Sequence, residues 1–467
     1  MSPLHPGPQG AVGLFADLYE LTMAAAFHAE GVRGQATFDL FVRSLPEGRN
    51  FLVACGVEQA VTGLTEWIYT PVELGYLESL GLFESAFLDE LARLRFTGTV
   101  RAVPEGDVVF AGEPILTVTA PMVEAQLVET YLLNVIGFQT MVASKAARVA
   151  LAAQGRPFVD FSARRDHGAD AAFYAARAAY VGGASGTSLV SAGCAFGLPV
   201  VGTMAHSYVM AHDDERSAFQ AFLQAFPGAV LLIDTYDTVE GARRVVEVVR
   251  ELPPGTPRPS GVRLDSGDLS VLSRQVRAVL DEGGCPDVQI LASGDLDEHR
   301  VDELVREGAP IDSFGVGTRM GTSADHPYLG VVYKLVEENG EPKVKLAPGK
   351  RTLPGRKQVH RVEEGGEARR DVVCRVDEPA PPHSRPLLAP VIDHGRRVLP
   401  PADLNAARAR REAAVASLPA ELRDLTPAEQ PYPVEVSPAL EALAALAEGR
   451  ADTRSQALGG GAPAGSF

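Results

Sequence analysis

The sequence predicts an α/β protein: an irregular (β/α) barrel of TIM type with about seven units, beside a discontinuous α+β domain made from the N-terminal and C-terminal parts. Three observations carry this. From Pro157 to Phe314, short apolar runs alternate with stretches of 3.6-residue periodicity, and strands of parallel sheets read as continuous apolar runs because both faces are covered. Each run ends in a polar cluster, as expected where the carboxyl ends of barrel strands face a common mouth. Before Glu124 and after Gly330 the texture turns to period-two alternation with Gly and Pro turns, the mark of an antiparallel sheet. A doubly wound open sheet is the alternative. It would need a Gly-x-Gly-x-x-Gly turn after its first strand, and none is there.

The elements follow in order. Leu14 to His28 reads as an amphipathic helix with Asp17 in its first turn, where an acid suits the helix dipole. Gln35 to Leu45 alternates as a strand, residues 51 to 96 are mostly helical, and Gly98 to Pro121 is β-rich with turns at Pro104–Asp107 and Ala111–Pro114. These form an N-terminal α+β domain, residues 1–123. Glu124 to Ala153 is a long helical stretch with a break expected near Gly137, and it opens the barrel domain, residues 124–330. The expected strands are Pro157–Phe161, Tyr180–Val181, Pro199–Thr203, Ala229–Ile233, Gly261–Leu264, Val288–Leu291 and Ile311–Phe314. The expected helices include Asp170–Ala179, Asp214–Ala225, Val239–Leu252, Leu269–Glu282 and Asp297–Glu307. Residues 331–378 return as strands to the N-terminal domain, beginning with a hairpin turned at Glu338-Asn-Gly340 and a basic stretch Lys350–Lys357. Residues 379–467 read as a Pro-rich linker to Pro400, helices at Asn405–Leu418 and Pro438–Glu448, and a disordered Gly/Ala tail from Ser455.

Composition narrows the function classes. With 46% apolar and 22% charged residues the chain is globular. Its longest uncharged stretch is broken by Gly and Pro, so no membrane span is expected, and the opening residues lack the pattern of a signal peptide. Four cysteines lie far apart with no C-x-x-C pair, which favours a reducing, cytoplasmic setting over disulfides or a thiolate zinc site. A net charge of −17 argues against nucleic acid, and an anionic substrate would need a local basic patch.

The strand ends supply one. They are Ser162–Arg165, Gly182–Ser188, His206–Ser207, Asp234–Asp237, Arg263–Asp268, Ser293–Asp295 and Gly315–Arg319. Singly, each has an ordinary reading: a charge after a strand is usually a solvated loop, and Asp268 and Asp297 suit helix caps. Together they make one rim of arginines, carboxylates, a histidine and Gly/Ser/Thr loops whose backbone N–H groups suit phosphates. No metal-ligand spacing appears, so a specific metal site is not assigned; Mg2+ would arrive with substrate phosphate and take at most one or two carboxylates.

Several stretches identify a family resemblance: Asp17-Leu-Tyr-Glu-Leu-Thr-Met23, Phe38 to Pro46, Ser144-Lys-Ala-Ala-Arg148, Phe161-Ser-Ala-Arg-Arg165, Gly202-Thr-Met-Ala-His-Ser207, Asp234-Thr-Tyr-Asp237, Val262 to Asp268, Phe314-Gly-Val-Gly-Thr318 and Gly330 to Leu335. From about residue 14 to 360 the chain resembles nicotinate phosphoribosyltransferases. That resemblance implies transfer of phosphoribosyl from 5-phosphoribosyl 1-pyrophosphate to nicotinate, giving nicotinate mononucleotide and pyrophosphate, coupled to ATP hydrolysis. It implies a phosphohistidine at His206 beside Ser207, and Asp265 near the cationic ribosyl centre. Tyr19 and Phe161 would stack on the ring, with Arg263 or Arg164 meeting its carboxylate. Gly294, Gly317 and Thr318 would hold the ribose phosphate, and Ser293 would also bind substrate. Asp17 and Tyr19 would reach the other subunit of a homodimer. For Tyr19 and Phe161 a plain core role stands beside the stacking one. The alternatives are a nicotinamide-using relative, since Arg263 and Arg164 suit both rings, and a sugar-phosphate aldolase or isomerase. The latter would be expected to place a lysine or a carboxylate base at a strand end, and no strand end carries a lysine.

Overall fold

The computed structural model describes residues 12–346, 352–401 and 403–459. They divide into two compact units, Val142–Pro327 and a second built from residues up to Met141 and from Tyr328 on.

The first unit is organised by a parallel sheet of β1 (Phe158–Asp160), β2 (Val230–Leu232), β3 (Gly261–Leu264), β4 (Gln289–Ala292) and β5 (Ser313–Val316), in the order β1-β5-β4-β3-β2. Isolated parallel bridges carry it beyond β1, from Asp160 to Thr187 and from Thr187 to Val200. Helices Thr238–Glu251, Leu269–Glu282 and Glu298–Arg306 each start at an aspartate, Asp237, Asp268 and Asp297, whose carboxylate accepts backbone N–H groups of the first turn. Their apolar stripes, Val245 and Val249, Val276 and Leu280, Val301 and Leu304, are buried. Each such side chain contributes roughly 1.5–3 kcal/mol of transfer free energy.

Two expected strands differ. Tyr180 and Val181 lie inside the helix Ala169–Gly182, because the Ala-rich run before them favours helix and Gly183, at φ +123°, is the first residue to leave it. Of Pro199–Thr203 only Val200 bridges; Pro199 has no N–H to give a ladder and Gly202 adds no side chain to pack. No described residue pairs Val200 with β2, so the closed barrel is not seen.

In the second unit Val331–Glu338 pairs antiparallel with Gln35–Val42, which pairs with Pro114–Pro121; Thr99–Ala102, Ala389–Asp393 and Arg396–Arg397 follow in the same sheet. The hairpin turn falls at Asn339 and Gly340, both with positive φ, as its Asn-Gly sequence requires. The stretch read as a Pro-rich linker holds strands Ser384–Pro386, Ala389–Asp393 and Arg396–Arg397 instead. Pro390 is accommodated where the register slips between Pro390 and Ile392. The helix break comes at Val128, not at Gly137; Glu129–Ala153 runs unbroken, and Gly137 lets it lie close to Val331. The last helix, Pro438–Gly459, includes part of the expected tail, whose remainder, like residues 350–351 of the basic stretch, lies outside the described residues. All four cysteines are free, and no described helix is long and apolar enough to cross a membrane.

Candidate active site

The carboxyl ends of β1, β3, β4 and β5 meet around Arg263. This side chain leaves β3 with 14% exposure and makes three directed contacts. Its Nε donates to Ser293 Oγ at 2.8 Å, one terminal nitrogen to Thr203 Oγ1 at 3.2 Å, and the other to Asp265 Oδ1 at 2.5 Å. Its Cζ stands 5.4 Å from the centroid of the Phe161 ring, a cation–π placement. The Phe161 ring lies against β5 where Gly315 has no side chain; a Cβ there would stand 2.6 Å from two ring carbons.

Asp265 is held from both sides. Its Oδ1 accepts from Ser293 Oγ at 2.5 Å as well as from Arg263, and its backbone N–H donates to Asp234 Oδ2 at 2.8 Å. Burial pushes its pKa up, but the Ser293 hydrogen bond and the Arg263 charge, with His206 adding to them, outweigh this and hold it below the usual carboxylate range. It is therefore an anion at neutral pH. Asp234 also accepts from Ser266 Oγ at 2.7 Å, while its Oδ1 is buried with no hydrogen-bond partner. Gly294, at φ +92°, closes the turn after β4 where a side chain would collide with the Asp265 carbonyl.

His206 opens the short helix His206–Met210, half-buried, with Nδ1 3.2 Å from Thr235 Oγ1. If Nδ1 carries the proton and donates to Thr235, Nε2 keeps a lone pair. Ser207 is exposed beside it. Gly317 precedes the helical turn Thr318–Gly321, with Thr318 exposed, and Arg319 pairs with Asp297 at 3.0 Å. Arg164 is exposed in the turn after β1 and has no ion pair among the described residues. In that turn Ser162 Oγ donates to Asp166 at 2.9 Å, and burial pushes the Asp166 carboxyl up to about 6.

Asp17 and Tyr19 belong to the other unit. Asp17 occupies the N-cap position of helix Leu18–Ala29 without capping it; its carboxylate accepts from Thr130 Oγ1 at 3.0 Å. Tyr19 is 46% exposed, and burial of part of its ring, with Glu129 and Glu20 close by, raises its phenol pKa.

Sequence reasoning assigned no role to several groups. Thr203 and Thr235 are unremarkable hydroxyls until the fold sets them on Arg263 and His206. Lys145 and Arg148 both reach Glu298, at 2.6 and 2.9 Å, and Lys145 also reaches Asp325 at 2.8 Å. Lys145, Arg148 and Glu298 are all buried. Their signal was two cations at i, i+3 on a helix otherwise apolar there.

Fold and site together define an α/β enzyme of the strand-end type, with an ionised carboxylate, an aromatic platform, a guanidinium and glycine turns around one mouth. The chain belongs to the nicotinate phosphoribosyltransferase family: residues 14–137 match the N-terminal domain of that family and residues 157–364 match the family itself. It is 47% identical over 425 residues to a nicotinate phosphoribosyltransferase of Mycobacterium tuberculosis, covering 91% of each chain. To the Bacillus subtilis enzyme of that name it is 41% identical over 378 residues, covering 79% of this chain and 77% of the other. The crystal structure of human nicotinic acid phosphoribosyltransferase superposes with a TM-score of 0.82 at 29% identity, over 93% of this chain and all of that one.

Proposed function

We propose that this chain is a nicotinate phosphoribosyltransferase in activity as well as family, taking nicotinate and 5-phosphoribosyl 1-pyrophosphate to nicotinate mononucleotide and pyrophosphate, the first step of NAD synthesis from nicotinate. Family membership supports the substrates. The observation that carries the chemistry is Asp265 held as an anion between Ser293 and Arg263. In the transfer, the bond from ribose C1 to pyrophosphate breaks and its electron pair leaves with pyrophosphate. The lone pair of the pyridine nitrogen forms the new bond to C1. No proton moves at the nitrogen, so no general base is needed. What the reaction needs is an anion beside the cationic ribosyl centre, and Asp265 supplies it.

The nicotinate ring would stack on Phe161, with its carboxylate on Arg263 or on the uncommitted Arg164. Gly294, Gly317 and Thr318 would take the ribose 5-phosphate, while Ser293, whose hydroxyl and N–H are both committed, serves by holding Asp265. Mg2+ bound with the pyrophosphate or ATP would neutralise phosphate charge, and Asp234 Oδ1, a buried oxygen without a partner, fits the hard donors that ion prefers. ATP coupling is read onto His206: Nε2 would attack the γ-phosphorus as ADP leaves, with Ser207 close by. Asp17 and Tyr19 would serve the site of a second subunit, making the enzyme a homodimer with shared active sites. The exposed Phe15, Leu18 and Tyr19 support that reading as an apolar patch awaiting cover. The parallel order of the five strands, carried further by the two bridges beyond β1, supports reading this unit as an irregular (β/α) barrel. A cytoplasmic setting fits the four free cysteines.

The test is incubation with nicotinate and 5-phosphoribosyl 1-pyrophosphate, with and without ATP, using wild type and His206→Asn. Wild type should form nicotinate mononucleotide and pyrophosphate one to one, faster with ATP, and take an acid-labile label from γ-labelled ATP. His206→Asn should keep slow transfer and take no label. Absence of product from wild type overturns the activity; a labelled, ATP-responsive His206→Asn overturns the role of His206 alone.

A further inference from the structure

The antiparallel sheet of the second unit has a polar face for which the transfer reaction has no use. In its three central strands Thr37 faces Thr119, which faces Thr99; one step along, Asp39 faces Thr117, which faces Arg101. Alternate residues of a strand share a face, so these six make one polar patch. The opposite face, with Phe38, Leu40, Val118 and Val100, is buried core. An antiparallel sheet ordinarily leaves its polar face to water. Here Thr37, Asp39 and Thr117 are buried as well, and the face lines a cavity of about 390 Å3 walled by Gln35, Thr99, Thr119, Arg101, Arg356 and Lys357 among others. That volume suits a small metabolite.

The charge of the lining is the second observation. In a chain of net charge −17 the described wall residues include Arg101, Arg356, Lys357 and His394, and the carboxylates beside them are already paired, Asp393 standing 2.9 Å from His394. Lys357 is already spent on Asp39 at 2.8 Å and on the carbonyls of Leu353 and Gly355. Arg356 is exposed and pairs with Glu337 at 3.2 Å. Arg101 is different. One terminal nitrogen donates to the Leu388 carbonyl at 2.8 Å, its Nε is buried with no partner, and no ion pair among the described residues neutralises it. That Nε is closed off from the cavity, but the second terminal nitrogen is neither sealed nor hydrogen-bonded among the described residues and can meet an anion there. Thr37 and Thr119 share one hydrogen bond at 3.0 Å, which leaves one hydroxyl hydrogen to offer beside it.

We propose that this cavity is a second ligand site, for a phosphate-bearing molecule of mononucleotide size. Arg101 meets the phosphate oxygens in its planar fork, Arg356 closes on them from the rim, and the Thr119 pair and Gln35 supply neutral donors. The basic stretch ending at Lys357, for which the transfer site has no use, thereby acquires a role.

The test is calorimetric titration of the full chain with AMP, in wild type and in Arg263→Ala, whose transfer site is disabled. One AMP should bind per chain, in competition with inorganic phosphate. Arg101→Met should weaken it about tenfold or more, as expected for loss of a charge-assisted pair. Arg356→Ala, on an exposed side chain that does not endanger folding, should weaken it by about threefold or more. Transfer measured without AMP should be unchanged in both. The proposal is overturned if AMP binds neither wild type nor Arg263→Ala, if Arg356→Ala binds it as wild type does, or if a folded Arg101→Met does so.

Discussion

At the scale of single residues, the account rests on Arg263 and what it touches. Removing it leaves Asp265 without its charge partner and the nicotinate carboxylate without a candidate fork, two anions exposed in one step. Arg263→Ala should therefore lower kcat/KM for nicotinate by about a hundredfold or more, on the order of 3 kcal/mol. Steady-state kinetics on a variant shown to be folded measure this, and unchanged kinetics would remove Arg263 from the site. That Arg263, Asp265, Ser293 and Phe161 belong together was legible, because each stands at or just past the carboxyl end of a strand and such ends converge in a parallel sheet. Their particular hydrogen bonds were not. Nothing in the spacing tells that Thr203 reaches Arg263 at 3.2 Å or that Thr235 stands under His206, since the loops carrying them follow no period.

At the scale of elements, the helix Glu298–Arg306 follows the turn that carries Gly294, and its first residue is clamped by the long helix before β1. Burial pushes the Glu298 pKa up, but Lys145 and Arg148 outweigh it and hold the carboxyl below its ordinary value. A group with a depressed folded pKa stabilises above its unfolded pKa, and that contribution is lost as pH falls through the folded one. Glu298→Gln should lower unfolding stability by about 3 kcal/mol at neutral pH, because two buried cations lose the anion they share, although Lys145 keeps Asp325. The deficit should shrink in urea titrations repeated at acid pH below the ordinary glutamate range. Equal stability of the two proteins at pH 7 would show that the cluster contributes nothing. Elements with strong period or a clear cap were readable: Leu269–Glu282 begins and ends where its capping Asp268 and apolar stripe place it. Those read wrongly were short. Tyr180–Val181 is an apolar pair that periodicity cannot assign to strand or helix, and the Ala run before it decides the matter. The strands between Pro379 and Pro400 were hidden by prolines, of which Pro390 sits at a register slip.

For the whole molecule, the shared-site reading makes a prediction of its own. Tyr19→Ala and Asp265→Ala, each inactive, should complement when co-expressed with separate tags, because a heterodimer contains one intact site from the sound half of each chain. Purified heterodimers without activity would place Tyr19 outside the neighbouring site. Residues 14–137 and 157–364 carry the family, and the chain's resemblance pointed to nicotinate before any geometry was known. The choice of acid over amide follows from the resemblance; the residues themselves left it open, because an arginine at the mouth suits either ring. The measurement that tests it most directly is the ratio of kcat/KM for nicotinate to that for nicotinamide, each with saturating 5-phosphoribosyl 1-pyrophosphate. A charge-assisted carboxylate–arginine pair that the amide cannot make predicts a ratio of about a hundred or more; a ratio near one, or in favour of nicotinamide, would contradict the account.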